Sequence, residues 1–286
     1  MRNKTIATLT AALLTSALAT VANAASGPKI PANGPDPNQK PQVAAPAPNW
    51  QSMPGGTWAS IAALPDWFGP WSYDNRPNFS ATTEPIPTTP KFTALLKKVR
   101  EQQSRGEDVE SEVYHCHPRG IPPMMISATG AVFNFVLVPG RMDIVPENAQ
   151  VRHVYTDGRG HPKDAKPSFN GHSIGHWEAN NTILVIDTVA IRPDVQLFYG
   201  MPGGGAMHAT ERMSQIRPDK IQIVTSMMDT NALTKPWSYT RTYSLHKDWQ
   251  IAENYCAQNN RDVNPETGRQ SFNLEPPPED KPAPKK

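Results

Sequence analysis

Trp237-Ser238-Tyr239-Thr240-Arg241-Thr242-Tyr243-Ser244-Leu245 carries a long side chain at every second position, with Ser or Thr between. A period of two puts the long side chains on one face of a strand and the hydroxyls on the other. The same period recurs towards the N-terminus. Met207–Ile216 and Lys220–Asp229 read as a hairpin around the type I turn signal Pro218-Asp219. Ser173–Glu178 and Thr182–Ile191 read as a second hairpin around Ala179-Asn180-Asn181. Val151–Thr156 stops at Asp157-Gly158, and Ala131–Val138 turns at Pro139-Gly140 into Met142–Val145. A last short strand is expected over Ile251–Cys256. About eight strands with short connections imply a mainly β fold, an antiparallel, lipocalin-like barrel or a strongly curled sheet. A two-sheet sandwich is the other architecture that the pattern permits. One helix is expected before the sheet. Thr89 can cap it, Pro90 suits its first turn, and Phe92, Leu95, Leu96 and Val99 recur at helical spacing up to Arg105-Gly106.

The 286 residues are 37 % hydrophobic, which excludes a multi-span helical membrane protein. Prolines crowd residues 28–90 and 265–284, so the globular part lies between. Residues 1–24 read as a signal peptide: Arg2 and Lys4, an uncharged Thr5–Ala22 stretch, then Ala22-Asn23-Ala24. Residues 25–56 read as a Pro-rich linker, 57–110 as an aromatic strap plus the helix, 111–262 as the barrel core, and 263–286 as a disordered tail. Without Arg2 and Lys4 the acidic and basic residues balance, so neither nucleic acid nor an anionic membrane is an expected partner. The expected location is periplasmic or secreted. There an even pair of cysteines, Cys116 and Cys256, reads as a disulfide. It would close a loop of about 140 residues, worth roughly 5 kcal/mol in the chain-entropy model.

Chemistry-bearing residues cluster in three segments. In Gly171-His172-Ser173-Ile174-Gly175-His176-Trp177-Glu178, His172, Ile174, His176 and Glu178 share one face of an extended chain. Asp187 interrupts the apolar row of Ile183, Val185 and Val189, so its carboxylate needs donors. In Met207–Met213, His208, Thr210 and Arg212 share one face, while Glu211 sits in a row with Met207, Ala209 and Met213. That first row lines a lumen or meets solvent. In Tyr155-Thr156-Asp157-Gly158-Arg159-Gly160-His161, a tight polar turn, Arg159 can pair with Asp157 or clamp an anion. His115 and His117, two apart, are half of a metal site at most. No nucleotide fingerprint, nucleophile elbow, zinc helix or calcium loop occurs, so no cofactor is expected.

Several of these segments together resemble a large family of exported bacterial proteins. They are Cys116-His117-Pro118-Arg119-Gly120-Ile121-Pro122, Tyr155–Arg159, Gly171–Glu178, Leu184-Val185-Ile186-Asp187-Thr188, His208-Ala209-Thr210-Glu211-Arg212 and Tyr255-Cys256. The resemblance departs at Ala179-Asn180-Asn181, where the family usually has Gly-Asp, and at His176, where a basic residue is common. It implies export and a β-rich fold, and it carries no activity.

The residues point to two functions of different class. One is an exported barrel enzyme that does acid/base chemistry, as a lyase, hydrolase or isomerase, on a small aromatic or apolar molecule. His172 and His208 would be its general acid and base, with Glu178, Asp187 or Glu211 as orienting carboxylates. Arg159, Arg212, Trp177, Tyr155 and Tyr239 would hold the substrate. The other is a non-catalytic carrier of an apolar ligand, its pocket built from Trp177, Trp237, Tyr239, Tyr243 and the Trp67–Trp71 strap. Both expectations rest on the histidines and carboxylates pointing into a hollow barrel.

Overall fold

The computed structural model describes residues 44–74, 85–105, 118–125, 132–147, 150–197 and 201–252. The expected signal peptide, the cysteines Cys116 and Cys256, the histidines His115 and His117 and the expected C-terminal tail lie outside them. Nine strands close into one barrel in chain order. They are β1 (Pro70–Tyr73), β2 (Val132–Val138), β3 (Arg141–Pro146), β4 (Arg152–Tyr155), β5 (His172–Glu178), β6 (Ile183–Val189), β7 (Met207–Arg217), β8 (Lys220–Asp229) and β9 (Trp237–Leu245). A four-residue α1 (Trp58–Ile61) precedes β1, and the expected helix, α2 (Pro90–Ser104), lies between β1 and β2. No described helix is long and apolar enough to cross a membrane.

Two features differ from the expectation of eight antiparallel strands. First, the ninth strand comes from the aromatic strap. Pro70–Tyr73 pairs with both β2 and β9 and closes the ring. Ile251 and Ala252 belong to no strand, and the rest of the expected last strand lies outside the described residues. Second, β4 and β5 run parallel while every other neighbouring pair is antiparallel. The two differences share one cause. A closed ring must contain an even number of direction reversals, so nine strands cannot all be antiparallel. The parallel pair then needs a crossover, and residues 156–171 supply it.

The register shows which face is inside. Trp71, Phe133, Phe135, Met142, Ile144, Leu184, Ile186, Met213, Ile221 and Tyr243 are almost fully buried and fill the barrel. Trp67 and Trp71 plug into this core, and Trp71 Nε1 donates to the Trp67 carbonyl at 2.9 Å. Ile121, Met124 and Met125 are buried against the same core, where Tyr243 Oη donates to the Met125 carbonyl at 2.6 Å. Thr89 does not cap α2; its hydroxyl donates to the Asn231 carbonyl at 3.1 Å. The segment expected as a linker reaches the barrel before residue 57. Ala47 N donates to the Asp157 carbonyl and Gly140 N to the Gly55 carbonyl, at 3.0 and 2.9 Å.

The barrel interior also contains polar groups. Arg152 of β4 is 1 % exposed and ion-paired with Glu211 of β7, equally buried. Its Nε donates to Ser173 Oγ at 3.1 Å and one terminal nitrogen to Thr188 Oγ1 at 2.9 Å. Glu211 therefore sits in its apolar row because a buried cation faces it across the lumen. The hollow barrel does not hold. Among the proposed carboxylates only Glu211 points inward, and it is consumed by Arg152.

Candidate functional site on the outer wall

His172, Asp187 and His208 all stand on the outer face of the adjacent strands β5, β6 and β7. Asp187 pairs with Ile174 on one side and Thr210 on the other, so Ile174 and Thr210 flank its carboxylate. His208, two residues before Thr210, lies on the same face and diagonally beside it. The crossover adds what the strands lack. After the Asp157-Gly158 turn it lays His161 over the wall, between His172 and Asp187. Gly171 ends the crossover at a φ of +62°, and a Cβ there would meet the Val189 carbonyl oxygen at 2.5 Å. Only glycine accepts both conditions, and this residue delivers His172 into β5.

The four side chains form one hydrogen-bonded chain. His208 Nε2 bonds Asp187 Oδ1, and His161 Nε2 bonds Asp187 Oδ2 at 3.0 Å. His161 Nδ1 meets His172 Nδ1 at 2.8 Å. The proton positions follow from the acceptors. The neighbouring His208 holds the Asp187 carboxyl below its usual range, so it is ionised and only accepts. Both Nε2 atoms therefore carry hydrogen. His161 Nδ1 and His172 Nδ1 share one hydrogen, and with it on His172 the His161 nitrogen accepts. His172 Nε2 is then a bare lone pair, and it is enclosed without a partner.

The two ends of the chain differ electrostatically. Asp187 pushes the pKa of His208 up from the ordinary imidazole value of 6.5. Burial, then His161 and Arg159, push His172 down from the same value. Solvent access is graded likewise: the side chains of His161, Asp187 and His208 are 19, 36 and 51 % exposed. A titration by NMR is therefore expected to find His208 changing charge above pH 6.5 and His172 below it. The signs fix the effects on stability. The His208 contribution is complete below pH 6.5 and fades as pH rises through its raised folded pKa. His172 costs nothing above 6.5 and destabilises as pH falls from there to its lowered folded pKa, because only the unfolded chain takes the proton. Coincident midpoints at 6.5 would overturn this arrangement.

No protein-family model and no curated protein matches the chain. The site is therefore read from its own geometry.

A second layer backs His172. Its ring stacks on Tyr155, with centroids 5.6 Å apart and planes at 24°. The Arg159 guanidinium lies over the Tyr155 ring, 3.8 Å from its centroid. Asp157 holds that guanidinium at 2.5–3.0 Å, and both side chains are almost buried. Arg159 thus pairs with Asp157, and the Tyr155 ring is engaged by both Arg159 and His172. Arg212 and His176 both bond Glu178, at 2.8 and 3.1 Å, in an exposed cluster further along the same wall. There Arg212, then His176, hold the Glu178 carboxyl below its usual range. Glu178 and Arg212 are consumed by each other, apart from the His161–His172 pair. Trp177 and Tyr239 point inward and pack against the core. Trp177 lies against Trp67 at 5.3 Å, and Tyr239 against Trp237 at 5.6 Å. The wall brings together His172, Asp187 and His208 of the expected set. His161 was missed as a site residue. Its one sequence signal was its place at the end of the polar turn, in front of Pro162.

Proposed function

We propose that this chain is an exported barrel enzyme whose outer wall does acid/base chemistry on a small aromatic or apolar molecule. The observation that supports the reading is the continuous chain His208–Asp187–His161–His172, with a cationic imidazole favoured at one end and a neutral one at the other. Groups with pKa values driven apart are suited to acid and base roles at one pH. Neutral His172 takes a proton from the substrate at Nε2, an atom enclosed in the free protein that the substrate must uncover as it binds. The positive charge is shared through His161 and balanced by Asp187. Cationic His208 returns a proton from the ring nitrogen not bound to Asp187. Ile174 and Val189, neighbours of Asp187 and His172 on this face, give an apolar floor. Elimination, hydrolysis and isomerisation all need such paired transfers. Export rests on the signal-like first 24 residues and the motifs resembling the exported family.

The test is a turnover screen. Purified protein is incubated with pools of small aromatic and aliphatic esters, lactones and hydroxy acids, and products are read by mass spectrometry. The reading expects at least one compound converted by the wild type and not by the His172→Gln variant. Conversion that survives this substitution, or no conversion across the pools, overturns it.

A further inference from the structure

The strap and β2 enclose a cleft of about 370 Å³ that is separate from the histidine wall. Leu64, Pro65, Trp67 and Phe68 form one side, and Phe135 and Leu137 form the other. Its size is that of a site for a small organic molecule; all but one of its lining residues carry apolar side chains, while its exposed surface is divided almost evenly between polar and apolar atoms. Two further observations point to a ligand. Phe68 is 77 % exposed at the cleft although its neighbours Trp67 and Trp71 are buried. A large ring left in water beside an apolar cleft costs free energy that a bound apolar molecule recovers. The second observation is electrostatic. Among the described residues, Asp66 is the only ionisable one that lines the cleft, and no basic side chain does. Its Oδ1 accepts from Phe68 N at 3.1 Å, which ties the carboxylate to the ring beside it.

We infer that this cleft binds a flat aromatic molecule that is neutral or carries an amine, and that it rejects anions. Phe68 stacks on or closes over the aromatic part. The Asp66 carboxylate repels a sulfonate or carboxylate brought into the same space and attracts an amine. The site lies on the strap and β2, so it does not depend on the acid/base reading of β5 to β7.

Two fluorescent probes that share one anilinonaphthalene skeleton test this. N-phenyl-1-naphthylamine is neutral, and 8-anilino-1-naphthalenesulfonate is an anion. Titration of the full chain is expected to give saturable binding of the neutral probe, with the anion about tenfold weaker. Phe68→Ala should weaken the neutral probe by about fivefold to tenfold, through the apolar contact removed. Asp66→Asn should leave the neutral probe unchanged and bring the anion close to it. Circular dichroism and the melting temperature check that both variants fold, as expected for exposed positions. Equal binding of the two probes, no effect of Phe68→Ala, or no saturation of the neutral probe would each overturn the inference. Asp187→Asn is expected to leave binding of the neutral probe intact, so failure here and failure of the acid/base reading are separate results.

Discussion

Glu211→Gln is expected to destabilise the barrel by about 3–5 kcal/mol, the usual cost of removing one partner of a buried ion pair. Arg152 is 1 % exposed, and Glu211 is the acidic group that faces it. Its second terminal nitrogen already has no partner, so the guanidinium has no alternative acceptor to turn to. A neutral amide leaves a cation stranded in the core. Urea unfolding followed by fluorescence would read the loss as a lower midpoint at unchanged slope. The companion variant sharpens the test. Arg152→Met with Glu211→Leu removes both charges and fills similar volume, so it should recover most of the loss. If Glu211→Gln costs less than about 1 kcal/mol, the pair is not the keystone of the interior.

Asp187→Asn should have the largest effect on chemistry. The carboxylate accepts from two imidazoles at once, one on each oxygen. An amide offers one acceptor and turns two N–H groups towards the other ring, so one of the two bonds is lost. His208 loses the anion that holds its pKa up and should titrate near or below 6.5. His161 loses the fixed tautomer that lets it accept from His172. On any substrate found by the screen, turnover should fall by about 10²- to 10⁴-fold, the range of a lost general acid/base. The alkaline limb of the pH profile should move to lower pH in step with the His208 titration. Unchanged turnover with an unmoved His208 would remove the relay as the working part.

Much of the architecture is legible in the sequence because alternation is a local signal. Lys220–Asp229 and Trp237–Leu245 form strands over the same residues that their periods mark out, and α2 begins at Pro90 as its sequence indicates. Alternation sorts residues onto two faces but does not say which face is inside. Here both faces are mixed: β7 carries Glu211 inward and His208 and Arg212 outward. The deciding partner of Glu211 is Arg152, 59 residues earlier, and no local pattern connects them. Pro70–Tyr73 is too short to show a period of its own, and its strand character comes from the two edges it joins. His161 belongs to a loop by every local criterion. It enters the site because of the ring's parity, a property of the whole chain.

That parity has a consequence for how such a wall can arise or be lost. An even-membered ring closes with hairpins alone and needs no crossover between its fourth and fifth strands. A lineage that gained or shed one strand would be free to shorten residues 156–171 to a tight turn, and His161 would go with them. Strand number and the placement of His161 are therefore coupled, so a variant shortened in this way should keep the barrel and lose the link between His172 and Asp187.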